Sequence, residues 1–236
     1  MRDLADSVAV VTGASRGIGL AIAGRLAGEG VAVVLVGRNT QALGRAKKRV
    51  PGKAISVAAN VTIPGDVGRL FRRVKRLHGR LDILVNCAGI FTYKPFRETT
   101  LKDWRSNLET NLTALFLTTQ AALPLLACAE HPHVVNILSI SSSRAFPNCS
   151  AYTASKFGAL GLTRVLRKEL RPQGVRVTAI LPGLTETRML DEFDFEIPHA
   201  KVMQPEDVAE AVISALKQPP RTAVEEVFLM PSSGAV

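Results

Sequence analysis

The chain has 236 residues, 47% of them hydrophobic and 21% charged, with 18 Gly and 13 Pro. That composition excludes disordered and fibrous classes and fits one globular domain spanning 1–236. The formal net charge of +10 raises nucleic acid or an anionic surface as partners.

The charge is clustered at Arg45-Lys47-Lys48-Arg49, at Arg69-Arg72-Arg73-Lys75-Arg76-Arg80 and at Arg164-Arg167-Lys168-Arg171. Each cluster lies in a segment that reads as an amphipathic helix. None has interleaved aromatics, so they read as solvated outer faces and not as a nucleic-acid module. A chain of this length buries roughly 70% of its unfolded surface and needs no disulfide to hold a core. The three cysteines, Cys87, Cys128 and Cys149, show no paired spacing. They are expected as small buried thiols in a reducing, cytoplasmic setting, with no metal site. The first apolar run is reached by Val8, so no signal or transit peptide is expected ahead of it.

In chain order, short β-branched runs fall at 8–11, 31–36, 54–57, 83–85, 134–138, 175–180 and 227–229. Helical patterns fill the intervals at 17–28, 41–49, 65–77, 101–127, 152–171 and 205–217. Strands alternating with helices predict an α/β, Rossmann-type, doubly wound parallel sheet of seven strands in three layers. Most of the runs are continuously apolar, as strands covered on both faces require. The charge-free stretch 110–129 is long enough to span a bilayer. Its Asn111, Thr113, Thr118, Thr119, Gln120 and Pro124 predict a helix buried against protein instead, with no membrane partner. Only 184–203 lacks periodicity, and it reads as a loop or small lid.

The first strand runs into Thr12-Gly13-Ala14-Ser15-Arg16-Gly17-Ile18-Gly19 and then directly into a helix. In that context Gly13 permits a tight turn, Gly17 allows close approach to a pyrophosphate, and Gly19 lets helix pack on strand with its N–H groups facing the anion. After the second strand comes Gly37-Arg38, with no carboxylate to meet a ribose 2′-hydroxyl. Arg38 with Arg16 would instead grip a 2′-phosphate, which favours NADP(H) over NAD(H); the alternative is that Arg38 is a solvated loop residue. Tyr152 and Lys156 stand four residues apart, on one helix face. A free phenol near pKa 10 is only about a thousandth ionised at neutral pH. Bringing it to neutrality takes roughly 4 kcal/mol, for which the Lys156 ammonium and an oxidised nicotinamide are the expected sources.

The turn T-G-A-S-R-G-I-G, Asn86-Cys87-Ala88-Gly89, Asn111, Ser139, Tyr152-Thr153-Ala154-Ser155-Lys156 and Pro182-Gly183 with Thr187 resemble, in order and spacing, the short-chain dehydrogenase/reductase family. The resemblance extends over most of the chain. It implies an oxidoreductase in which Tyr152 exchanges a proton with a carbonyl or alcohol oxygen as hydride moves to or from the nicotinamide. Ser139 would hold that oxygen, and Lys156 would bind the nicotinamide ribose. Asn111 would form a helix bulge whose water links Lys156 to solvent. It also implies cofactor contacts from Gly13, Ser15, Arg16, Gly17, Ile18 and Gly19. Asn60 and Val61 would lie beside the adenine, although the family usually has an acid in place of Asn60. Asn86, Ala88 and Gly89 would follow the fourth strand, and Pro182, Gly183, Thr185 and Thr187 would surround the nicotinamide. Asp82 either orders the adenine neighbourhood or caps a strand start.

The substrate is expected between the nicotinamide and 184–203, under Met189, Leu190, Phe193, Phe195 and Ile197, with Asp191, Glu192, Asp194 and Glu196 facing water. The best reading is an NADPH-dependent carbonyl reductase acting on a small ketone or aldehyde. The alternative within the family is a 3-oxoacyl-acyl-carrier-protein reductase; a redox-inactive nucleotide-binding or nucleic-acid-associated protein is the alternative outside it. Family likeness of the helices at 110–129 and from Tyr152 implies a homodimer or homotetramer.

Overall fold

The computed structural model describes residues 2–194 and 202–234. Seven strands form one wholly parallel sheet in the order β3-β2-β1-β4-β5-β6-β7. They are β1 (Val8–Thr12), β2 (Ala32–Gly37), β3 (Ala54–Ala58), β4 (Ile83–Asn86), β5 (His133–Ile137), β6 (Arg176–Pro182) and β7 (Glu226–Leu229). Every expected strand is present, within two residues at either end. The helices are α1 (Gly17–Gly28), α2 (Thr40–Arg49), α3 (Pro64–His78), α4 (Leu101–Leu108), α5 (Ala114–Leu126), α6 (Ser150–Leu170) and α7 (Pro205–Leu216).

Alternation along β1 shows why its run is apolar throughout. Ala9 and Val11 pack with Ile22 and Leu26 of α1, Leu43 of α2 and Val212 of α7. Val8 and Val10 pack on the other face with Leu70 of α3, Leu125 of α5 and Leu170 of α6. Each such Val, Leu or Ile side chain, fully buried, stabilises the fold by roughly 1.5–3 kcal/mol. Both faces are therefore core, and the three layers follow.

Several expectations are corrected. The single helix expected at 101–127 is broken by a π turn at Glu109–Thr113. Cys128, expected buried, is exposed just past α5, while Cys149 is buried and all three thiols are free. Arg167 is not on a solvated face: it is buried, donates to the Val177 and Glu225 carbonyls and faces the Glu225 and Glu226 carboxylates. Arg164 and Arg171 engage the same two acids. Asp82 accepts from the Val8 N–H at 2.8 Å and from Arg80 Nε at 3.0 Å, so it caps the start of β1, at the sheet end opposite the glycine turn. No helix among the described residues is long and apolar enough to cross a membrane.

Candidate active site

Strand order reverses between β1 and β4, and the loops leaving the carboxyl ends of these strands diverge there. A cavity of about 1070 Å³ opens at this point. It exceeds the ~300–1,000 Å³ of ordinary small-ligand pockets and has room for a dinucleotide and a small substrate together.

The glycine turn forms one wall. Gly13 has φ +67°, and a Cβ there would lie 2.9 Å from Ala88 Cα in the loop after β4. Gly17, at φ +53°, would place its Cβ 3.2 Å from Thr187 Cγ2. A Cβ on Gly19 would strike the Gly13 carbonyl at 2.5 Å, so its absence lets α1 start directly behind the turn. Arg16 precedes α1 in extended geometry with no side-chain cap, and Gly17, Ile18 and Gly19 line the cavity. Uncapped first-turn N–H groups and an open backbone fit a diphosphate. Arg16, from the turn, and Arg38, just past β2, line the same cavity as two exposed cations.

The loop after β4 is held by Thr12, whose Oγ1 accepts from the Cys87 N–H at 2.9 Å and the Ala88 N–H at 3.0 Å. At the other wall, Ser139 ends the extended run after β5, and its Oγ accepts from the Ser141 N–H at 3.1 Å. Ser139 and Tyr152 line the same cavity, and Ser139 is close enough to favour ionisation of the phenol. Tyr152 and Lys156 lie on the buried face of α6, with Lys156 Nζ 5.6 Å from the phenol ring centroid. Lys156 Nζ donates to the Ile137 carbonyl at 3.3 Å.

Burial pushes the Tyr152 phenol up to about 12, against the lowering effect of the nearby Ser139 hydroxyl. Loss of water is the largest influence on the phenol, and the lowering expected from sequence calls for an oxidised nicotinamide beside it as well as the Lys156 ammonium. The same burial brings Lys156 down to about 8.

Of the expected residues, Gly13, Ser15, Arg16, Gly17, Ile18, Gly19, Arg38, Asn60, Val61, Ala88, Gly89, Ser139, Tyr152, Lys156, Pro182, Gly183, Thr185 and Thr187 all line this cavity. Asn60 Oδ1 accepts from the Thr62 N–H and hydroxyl, an Asx turn that the amide serves where an acid would. Asn86 does not line the cavity. Its amide donates to Thr119 Oγ1 at 3.0 Å and Asn136 Oδ1 at 2.9 Å, while its carbonyl accepts from Thr118 at 2.7 Å. It is a buried tie between β4, β5 and α5.

Asn111 occupies the π turn, in keeping with the expected bulge. Its side chain is engaged elsewhere than the cavity: Oδ1 accepts from the Ile90 N–H at 2.9 Å, and Nδ2 donates to the Ile90 carbonyl at 3.0 Å and Ser155 Oγ at 2.9 Å. Met189, Leu190 and Phe193 line the cavity as expected, and Asp191 and Asp194 are exposed. Glu192, expected only to face water, is exposed yet also contributes to the lining. Phe195, Glu196 and Ile197 lie outside the described residues.

Phe91 and Tyr93, together with Phe146, Pro147 and Cys149, line the cavity without having been anticipated. The sequence signal was present in Ile90-Phe91-Thr92-Tyr93, which follows Asn86-Cys87-Ala88-Gly89 directly. Apolar residues next to a phosphate-site motif are candidates for a substrate wall.

A dinucleotide-type cleft with a Ser-Tyr-Lys set facing it defines a class of redox enzyme, and comparison with known proteins agrees. The family model for short chain dehydrogenase matches residues 7–196. The chain belongs to the short-chain dehydrogenase/reductase family, and it is an oxidoreductase of that type. It is 38% identical over 235 residues to an uncharacterised oxidoreductase of Staphylococcus saprophyticus, covering 98% of this chain and 100% of that one. An uncharacterised oxidoreductase of Staphylococcus epidermidis is 35% identical over 231 residues, with the same coverage. Among solved structures, an alcohol dehydrogenase from the archaeon Thermococcus sibiricus, complexed with 5-hydroxy-NADP, superposes with a TM-score of 0.89. It has 29% identity and covers 96% of this chain and 97% of that one. A metagenomic short-chain oxidoreductase in complex with NADP gives 0.85 at 31% identity, covering 98% and 99%.

Proposed function

We propose that this protein is an NADP(H)-dependent carbonyl reductase that converts a ketone or aldehyde to an alcohol, with Tyr152 as the acid/base. The observation that carries the reading is the Tyr152 phenol, beside Ser139 and one helical turn from Lys156, on the wall of a cavity whose other end is a diphosphate cradle. The cofactor, when bound, supplies the hydride. Gly13, Ser15, Gly17, Ile18 and Gly19 hold its phosphates by backbone approach, and Asn60 and Val61 flank the adenine. Ala88, Gly89, Pro182, Gly183, Thr185 and Thr187 enclose the nicotinamide end.

Ser139 orients the carbonyl oxygen, and Tyr152 donates its proton to that oxygen as negative charge develops on it. A phenol held neutral, near 12, stays loaded as an acid across the physiological range. Lys156 then favours the phenolate once the proton has left, and it binds the nicotinamide ribose. Asn111 acts as a positioning residue through Ile90 and Ser155, and Ser155 in turn donates to the Tyr152 carbonyl at 2.6 Å. Three free thiols fit the reducing, cytoplasmic setting that belongs to this reading.

The NADP(H) preference rests on Arg16 and Arg38 in the cavity, and it is in keeping with the two NADP-type ligands in the related structures. The test is cofactor oxidation followed at 340 nm across ketones, aldehydes and acyl thioesters. Tyr152→Phe is expected to lower kcat/KM at least ~100-fold on every active substrate, with cofactor binding retained. Arg38→Glu is expected to cost NADPH about tenfold or more in kcat/KM while sparing NADH. Turnover by Tyr152→Phe at the wild-type rate would remove the phenol from the mechanism. A preference for acyl thioesters over simple carbonyls would favour the acyl-carrier alternative, and cofactor binding without turnover of any substrate would favour the non-enzyme one.

A further inference from the structure

The proton transfer just described uses the Tyr152 hydroxyl and leaves unexplained the rings gathered around it. Phe91 meets the Tyr152 ring edge-on, with centroids 4.8 Å apart and planes at 87°. Phe193 sits 5.1 Å from Phe91 and 5.0 Å from Tyr93, tilted by 44° and 51°. These are the edge-to-face and tilted separations at which aromatic quadrupoles attract. Phe146 and Pro147 extend the same apolar lining.

The wall is built on a fixed backbone. Ile90 is clamped at both its N–H and its carbonyl by Asn111. On the other side of Phe91, the fully buried Asn107 donates to Thr92 Oγ1 at 2.8 Å and to the Asp103 carbonyl at 2.9 Å. Farther along, the Lys94 N–H donates to the Asn148 carbonyl at 2.7 Å. Both chain neighbours of Phe91 are thus tied by buried amides to the α4 and π-turn segment, so its ring is aimed at Tyr152 by more than its own packing. A buried Asn whose amide reaches across to a loop hydroxyl needs a reason, and holding that loop is one. The wall formed by Phe91, Tyr93, Phe146, Pro147 and Phe193 offers no cation to a carboxylate or phosphoester. Charged lining near Phe193 comes from Arg188 and Glu192, one of each sign, on the turn Arg188–Glu192.

We propose that the substrate presents its carbonyl on a flat, uncharged, apolar group, an aryl ring foremost, that Phe91 selects it, and that Asn107 is a positioning residue acting through Thr92. The proposal rests on the reading of Tyr152 as proton donor, and it adds the class of carbonyl delivered to that group. A flat ring lies against the cavity side of Phe91 and Phe193, in tilted contacts of the kind these rings already make with each other. A saturated ring of equal carbon count is thicker and has no quadrupole to match.

Two measurements on the purified full chain with NADP(H) test this. In the first, kcat/KM is compared for benzaldehyde, cyclohexanecarboxaldehyde, acetaldehyde and pyruvate. Phe91→Ala is expected to lower the value for benzaldehyde about tenfold, which corresponds to about 1.4 kcal/mol, while acetaldehyde changes less than about threefold. Asn107→Ala and the shape-preserving Thr92→Val are both expected to raise KM for benzaldehyde, with kcat for acetaldehyde unchanged. A role confined to fold stability would lower the active fraction and reduce both substrates alike. In the second, saturation-transfer NMR follows benzyl alcohol and cyclohexylmethanol binding to the enzyme–NADP+ complex, with no turnover required. Preferential contact with benzyl alcohol ring protons, lost in Phe91→Ala, supports the aryl site even if the reductase assay reads nothing. Equal signals for the two alcohols, a preference for pyruvate, or a Phe91→Ala variant with unchanged selectivity would overturn it.

Discussion

Two ionisable groups are buried side by side at the centre of this molecule, and burial drives them in opposite directions. Lys156 is brought down to about 8 and Tyr152 up to about 12. An unfolded lysine titrates near 10.4, so between about pH 8 and pH 10 the unfolded chain binds the proton that the native chain has released, and stability rises with pH. For Tyr152 the native state keeps a proton between about pH 10 and 12 that the unfolded chain gives up, so stability falls there. The expected outcome is a wild-type unfolding free energy that gains on Lys156→Met from pH 8 to pH 10, by on the order of 3 kcal/mol at most. Urea denaturation across that range checks it, and a constant difference between the two proteins contradicts it. Activity follows the opposite slope: the Lys156 cation is lost above about pH 8, so kcat/KM for carbonyl reduction falls on the alkaline side. At this scale the sequence was legible where chemistry fixes spacing, as for Tyr152, Lys156 and Ser139. It was illegible where only packing decides direction. Nothing local told Asn86, whose amide turns to Thr118, Thr119 and Asn136, from a residue facing the cofactor.

Elements were read more easily than the ties between them. The central strands are buried on both faces and mostly apolar, and the half-buried edge strands β3 and β7 still carry short apolar runs, so all seven announce themselves. The π turn after Leu108 was legible only through the family likeness of Asn111, because such a turn changes the hydrogen-bond partner and not the residue types. The connection between β1 and the β4 loop was silent, although a single hydroxyl makes it. Thr12 Oγ1 accepts two backbone N–H groups, from Cys87 and Ala88, at a position 1% exposed. Replacing Thr12 by Val keeps the shape and leaves both donors without that acceptor. A buried donor left unpaired costs about 1–3 kcal/mol, so Thr12→Val is expected to lower stability by that amount. Ala88 lies 2.9 Å from where a Gly13 Cβ would stand, so the same change loosens the cradle. NADP+ affinity measured by calorimetry is expected to fall several-fold, with Tyr152 chemistry intact at saturating cofactor. Unchanged affinity at reduced stability would confine Thr12 to the fold.

At the scale of the whole molecule, the +10 charge was the loudest signal in the sequence and the least informative about the site. One of its cationic clusters is tied up in ion pairs, where Arg164, Arg167 and Arg171 meet Glu225 and Glu226. What remains exposed and unusual is apolar. Phe116 on α5 is 43% exposed, and Phe157 and Val165 on α6 are 45% and 49% exposed. Phe157 adjoins Gly158, which packs so near Leu112, one turn before Phe116, that a Cβ there would lie 2.9 Å from Leu112 Cδ2. The two phenyl rings thus belong to neighbouring stretches of adjoining helices. Water-exposed rings of this size on paired helices are the composition of an isologous contact, in which each copy offers the same patch to the other. A homodimer or homotetramer is the expected state, and light scattering should read two or four chain masses for the wild type. Phe116→Glu combined with Phe157→Glu places like charges at the centre of the contact and is expected to give a single chain mass. Circular dichroism should be retained, because neither ring belongs to the buried core. A wild type that scatters as one chain at micromolar concentration would refute the contact. A double variant that keeps the wild-type mass would place the interface on some other face.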